Sequence, residues 1–184
     1  MQRRLLAILL FFVFFTLSSS AFYNFTWGTT KELIKQKEVQ QPFFETDKLL
    51  VYDAFLFEQK VQKIYSFEDN KLKTVLYTFT EVPCELKAYL TGYEFIDEEI
   101  AKLLQEPLSK TERWGNDRFK NLPELAMALG DVTYSSIWIA NSLITHALYS
   151  KDLNITHIIY INSFESILKD YGLNEEVHPD YEDI

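Results

Sequence analysis

Three histidines and one cysteine carry the most ready chemistry in this chain. His146 and His157 lie in two β-rich runs, Leu143 to Tyr149 and Ile155 to Asn162, separated by a short polar turn. If these runs pair as a hairpin, His146 faces Ile159 and His157 faces Leu148. Both imidazoles then share one sheet face as diagonal neighbours about 7–8 Å apart. Such a pair can bridge a divalent metal when a carboxylate completes the ligand set. The rest of that face is Ile144, Leu148, Ile159 and Ile161, so neither strand supplies the third ligand; the alternative is two half-buried sheet histidines. His178 falls in an acidic stretch and is expected to be solvated. Cys84 follows Val82-Pro83 in a connector with no helix start or basic cluster to favour the thiolate, so it reads as an incidental thiol. The acids Glu98-Glu99, Glu175-Glu176, Asp180 and Glu182 sit in a helix first turn or a tail, where solvated carboxylates are ordinary. No G-x-S-x-G, H-E-x-x-H, P-loop or EF-hand pattern occurs. No catalytic, cofactor-binding or metal residue is assigned, and no cofactor is expected.

Composition narrows the classes further. The 184 residues are 47% hydrophobic and 24% charged, a globular balance for one domain or two small ones sharing a core. A net charge of −9 disfavours a general nucleic-acid binder, which needs a Lys/Arg surplus to neutralise phosphates. One cysteine excludes an internal disulfide framework. Aromatic residues are plentiful. Trp138 and Tyr134 share a strand face and could form a recognition surface, since Trp and Tyr favour binding hot spots, but core packing is the expected role.

The first residues carry the strongest local signal. Arg3 and Arg4 precede an apolar run from Leu5 to Phe15, and Ser18-Ser19-Ser20-Ala21 follows. A basic start, a short apolar centre and a small-residue exit make residues 1–21 a secretory signal peptide cleaved after Ala21. The run is too short for a spanning helix, which needs roughly 20 apolar residues. Position 22 is Phe, so no cysteine is placed to take a lipid. Two Asn-X-Thr triplets, at Asn24 and Asn154, match the glycosylation pattern but arise readily by chance.

The elements that must position these residues follow in order. Thr29 and Glu32 suggest a capping box opening a first helix, which fades before Pro42. Strands are expected at Leu49 to Phe57, Val61 to Phe67 and Lys71 to Thr80, the last two a hairpin around Glu68-Asp69-Asn70. Asp97 reads as the cap of a second helix with Ile96, Ile100, Leu103 and Leu104 on its apolar stripe, ended by Pro107. Ser109 to Asn121 is polar, with Trp114 as its anchor. Pro123 to Leu129 reads as a short helix with Gly130 just past its end. Tyr134 to Asn141, Leu143 to Tyr149 and Ile155 to Asn162 supply three further strands.

The two halves therefore repeat the same order. Asp69 and Asp152 at the hairpin tips recur at the same interval as Tyr77 and Tyr160 in the last strands. The closer spacing of Thr29 and Asp97 points to an insertion around Ser109 to Leu129. The expected fold is α+β: two αβββ-like halves, residues 22–92 and 93–169, with antiparallel sheets and helices on one face. Residues 170–184 form an acidic tail.

Phe25-Thr26-Trp27-Gly28-Thr29-Thr30-Lys31-Glu32, Tyr65-Ser66-Phe67-Glu68-Asp69-Asn70-Lys71-Leu72 and Tyr77-Thr78-Phe79 together resemble a group of uncharacterised exported bacterial proteins. Trp114, the Leu125-to-Gly130 segment and Tyr134 to Trp138 are similar too. Leu104-Gln105-Glu106-Pro107 departs from the Lys-Tyr-Gly-x-Pro helix end of that group. More remotely, the layout resembles the tandem αβββ modules of β-lactamase inhibitor protein and the small outer-membrane assembly lipoprotein. The resemblance implies an exported address, periplasmic or extracellular, and carries over no functional residue. The expected role is a non-catalytic protein-binding or assembly module of the cell envelope. Its partner would be another envelope or extracellular protein, with neither nucleic acid nor stable membrane insertion. The alternative is an exported hydrolase whose carboxylates converge only in three dimensions.

Overall fold

The computed structural model describes residues 25–170. The leader, Asn24, His178 and residues 171–184 of the tail lie outside them. Among the described residues four α-helices and eight strands form: α1 (Lys31–Lys37), β1 (Phe44–Glu45), β2 (Leu49–Leu56), β3 (Gln59–Glu68), β4 (Lys71–Phe79), α2 (Leu86–Leu104), β5 (Ser109–Trp114), α3 (Pro123–Leu129), β6 (Val132–Ile139), β7 (Leu143–Lys151), β8 (Asn154–Asn162) and α4 (Phe164–Asp170). The strands make one antiparallel sheet in the order β1-β2-β3-β4-β8-β7-β6-β5. The fold is thus α+β with two αβββ-like halves. Their last strands join the two parts at a seam, where Leu76 of β4 pairs with Tyr160 of β8.

Tight turns set the registers. Phe57-Glu58, Asp69-Asn70 and Asp152-Leu153 each place two successive residues at positive φ, the backbone twist that suits a two-residue hairpin. Asp and Asn tolerate this conformation, whereas Phe57 (φ 51°) and Leu153 (φ 63°) hold it against their side-chain bulk. Alternation along the strands then sends one side chain in two toward the helices. Leu50, Tyr52, Tyr65, Val75, Tyr77, Ile144, Ile159 and Ile161 meet Ile34 of α1 and Ile96 and Ile100 of α2 in a core that runs under both halves. Burying each such side chain contributes about 1.5–3 kcal/mol. A second cluster joins Ala126 and Met127 of α3 to Tyr89, Tyr93, Val132 and Leu148. Helices α1, α2 and α3 therefore cover the same sheet face. Among the described residues no helix is long and apolar enough to cross a membrane.

Several local expectations need correction. Helix α1 is capped by Thr30, without a side-chain bond, while Thr29 Oγ1 donates to the Thr26 carbonyl and Glu32 accepts from Asn70. No capping box forms. Helix α2 starts at Leu86, so Asp97 lies in its interior, and the expected 92–93 boundary falls inside the helix. Its end is Leu104, with Gln105 at φ 77°, before Pro107 is reached. The polar stretch after Ser109 opens as edge strand β5, and α4 follows β8 where no helix was expected. Helix α3 begins at Pro123 and stops at left-handed Gly130, as the sequence indicates.

Candidate functional site

The polar groups of greatest interest meet beneath α2. Tyr89, Tyr93 and Asp97 recur every fourth residue and line the buried side of that helix. Opposite them, β6 presents Ser136, β7 presents His146 and β8 presents His157. The register is the one the sequence implies: His146 faces Ile159 and His157 faces Leu148. Asp97 is the hub. His146 Nδ1 lies 2.8 Å from Asp97 Oδ1, and Ser136 Oγ donates to Asp97 Oδ2 at 2.6 Å. Lys110 Nζ, reaching in from β5, lies 2.9 Å from the same Oδ2. Tyr93 Oη is 2.7 Å from Ser136 Oγ. Because Ser136 spends its proton on the carboxylate, the tyrosine hydroxyl is the donor of that last bond.

Rings continue the site sideways. Tyr93 stacks on His146 at 4.6 Å between centroids, His146 on His157 at 5.7 Å, and His157 on Tyr89 at 6.1 Å. Tyr134 tilts against Tyr93, and Phe79 meets His157 edge to face. Gly92 lies over the second imidazole, where a Cβ would stand 3.4 Å from His157 Nε2, an ordinary packing distance.

Protonation follows from burial and partners. Desolvation favours the neutral form of His146 and lowers its pKa, although the bond to Asp97 acts the other way. Desolvation, with neighbouring His146, pushes His157 down to about 3, against a hydrogen bond to the Tyr89 backbone. Burial works to raise the Asp97 carboxyl, but the bonds from His146, Ser136 and Lys110 outweigh it and hold it below the ordinary range. Asp97 is thus a carboxylate facing neutral imidazoles, with Lys110 as its counter-charge. A neutral His146 that donates from Nδ1 keeps its lone pair on Nε2.

The chemistry open to this cluster is limited by its order. A serine nucleophile must bond to the imidazole that takes its proton. Here Ser136 bonds to the carboxylate instead, and His146, Asp97 and Ser136 are 0%, 1% and 0% exposed. A metal is no better served. The two imidazoles lie nearly parallel, 21° apart, so their in-plane lone pairs run side by side and do not converge. Among the described residues no group of three or more His, Cys, Asp or Glu could hold a metal ion. The arrangement is suited to clamping α2 onto β5, β6 and β7.

The sequence located the histidine pair and missed its hub, because Asp97 has the look of a helix cap. Trp138, weighed as a recognition residue, is 2% exposed and donates to the Gln105 carbonyl, so it belongs to the core. Trp114 closes β5 and donates to Glu112. Cys84 is exposed and free. Glu98 and Glu99 project from mid-helix, with Glu99 paired to Lys102. No protein-family model, curated protein or solved structure matches the chain.

Proposed function

We propose that this chain is an exported, non-catalytic protein-binding or assembly module of the bacterial cell envelope, and that its binding surface is the sheet face turned away from α1, α2 and α3. One observation carries the reading. The registers align a row across all the strands: Phe44, Val51, Ile64, Leu76, Tyr160, Thr145, Ile137 and Ser109. The row on one side holds Asp53, Gln62, Thr78, Ile158, Ala147, Ser135 and Thr111, and the row on the other Leu49, Ser66, Thr74, Asn162, Leu143 and Ile139. A largely apolar row whose central flanks carry hydroxyl and amide groups (Gln62, Thr78, Ser66, Thr74 and Asn162) supports an interface with a dry centre and polar surroundings. What weighs against the exported hydrolase is the burial of Asp97, His146 and Ser136, the cluster closest to acid–base chemistry.

Crosslinked capture of the tagged protein from its own envelope fraction tests this, with Tyr160→Asp alongside. The expected result is a specific partner for the native chain that is lost in the variant. Recovery of no specific partner, while the purified protein turns over peptide, glycan or ester substrates, overturns the reading.

A further inference from the structure

The geometry points to the outer edge of β2 as a site that takes an extended peptide from a partner protein as an added strand, with a basic side chain set against Asp53. The inference rests on the binding reading above and names where, and what kind of segment, would bind.

Strand β1 covers β2 at Leu50 and Val51 alone, so among the described residues no strand lies on the outer side from Tyr52 to Leu56. The Val51 carbonyl takes the Phe43 N–H at 3.0 Å, which fixes Val51, Asp53 and Phe55 as the residues whose main-chain groups point outward. The Asp53 carbonyl accepts from the side-chain amide of Gln40. That exposed amide occupies the position where the N–H of an added strand would donate. Gln40 is therefore a removable seal, one side chain thick.

The surroundings suit a strand of alternating character. Phe55 is 70% exposed and Phe44 50%, and Phe44 shares the face of Val51, its cross-strand partner. Between them the exposed Asp53 faces neutral Gln62 across β3 and enters none of the ion pairs among the described residues. Lys60 stands diagonally, opposite Phe55. A second copy is a poorer occupant, since antiparallel pairing about Asp53 sets two carboxylates side by side. A strand with a cation opposite Asp53 and an apolar residue opposite Phe55 meets every group on the edge. Main-chain bonds supply affinity in this mode and alternate side chains supply selectivity.

The test uses the full chain and the peptide acetyl-Thr-Val-Thr-Arg-Thr-Val-Thr-amide, with a Glu-centred version as control. Amide exchange by NMR should show protection of the Asp53 and Phe55 N–H groups on addition of the Arg peptide and little with the Glu peptide. Phe55→Pro removes one outward donor at a position where an edge strand tolerates proline, and should weaken binding by about tenfold. Gln40→Ala should tighten it, which a merely structural glutamine would not do. Asp53→Lys should reverse the Arg-over-Glu preference, and it tests the idea even if Phe55→Pro fails to fold. No protection of these amides at millimolar peptide, or protection on β5 instead, overturns the proposal. So does sedimentation showing a dimer of the chain that Phe55→Pro dissolves. If Tyr160→Asp abolishes envelope capture while Phe55→Pro and Asp53→Lys leave it intact, the binding function stands and the edge site falls.

Discussion

Both halves fasten a helix to the sheet through a carboxylate, and they do so at different depths. In the first half Glu38, at the C-terminal end of α1, accepts from the Tyr65 hydroxyl and pairs with Lys63 at 2.8 Å. Its side chain keeps 17% exposure, Lys37 lies over the face of Phe25, and Lys63 lies over the faces of Phe25 and Tyr65. In the second half Asp97 keeps 1% and requires three donors. The difference teaches that a carboxylate near water works with two partners, whereas a sealed one must be fully bonded. The sealed clamp also draws neutral histidines into the core and so becomes sensitive to acid.

The strongest way to break this comparison is to remove each acid in turn. Asp97→Ala leaves Ser136, His146 and Lys110 without their acceptor and should cost about 3–5 kcal/mol in urea unfolding. Glu38→Ala should cost about 1 kcal/mol. Equal losses would refute the difference in depth.

Acid sharpens it next. Asp97 is held below its ordinary range, so its contribution is present above the unfolded value and disappears as pH falls through the folded one. His146 and His157 are also depressed, so the folded state binds fewer protons than the unfolded chain. Stability should therefore fall as pH drops below about 6.5, by roughly 1.4 kcal/mol per pH unit for each histidine held neutral. For His157 this window runs down to about 3. In His157→Leu, denaturation curves across that window should lose one histidine's share of the slope; an unchanged slope would show that His157 does not titrate on unfolding.

A smaller effect concerns the contact between halves. Trp27 Nε1 donates to Ser142 Oγ at 3.0 Å, and Ser142→Ala should lower stability by about 1 kcal/mol. Smallest of all is Glu45→Gln, which breaks the exposed pairs with Lys31 and Lys35 and should leave the thermal midpoint unchanged.

What the sequence disclosed depended on whether a signal was local. Val61 to Phe67 and Lys71 to Thr80 could be read as a hairpin because the turn Asp69-Asn70 is short and polar. The same holds for the Pro123-to-Gly130 helix, whose two ends are marked by its own residues. The register that put His146 and His157 together came from closing their two runs as a hairpin through a short turn, and alternation then set both on one face. Asp97 was misplaced for a physical reason. Glu85, at the true start of α2, makes no side-chain cap and no acid follows it in the first turn, whereas Asp97-Glu98-Glu99 imitates a helix beginning. Strand β5 escaped notice because an edge strand with Lys110, Glu112 and Arg113 exposed has no apolar alternation to show.

The seam between β4 and β8 has a further meaning for how the chain holds together. Each half contributes its last strand, and the two run antiparallel, from Thr74 opposite Asn162 to Thr78 opposite Ile158. That is the pairing two separate copies of one half would adopt about a symmetry axis. The connection from β4 through α2 to the second half makes their meeting intramolecular. Loop-closure entropy grows only with the logarithm of the connecting length, so even a long link between the seam strands adds little to the cost of joining them. The covalent link also removes any dependence of that pairing on protein concentration.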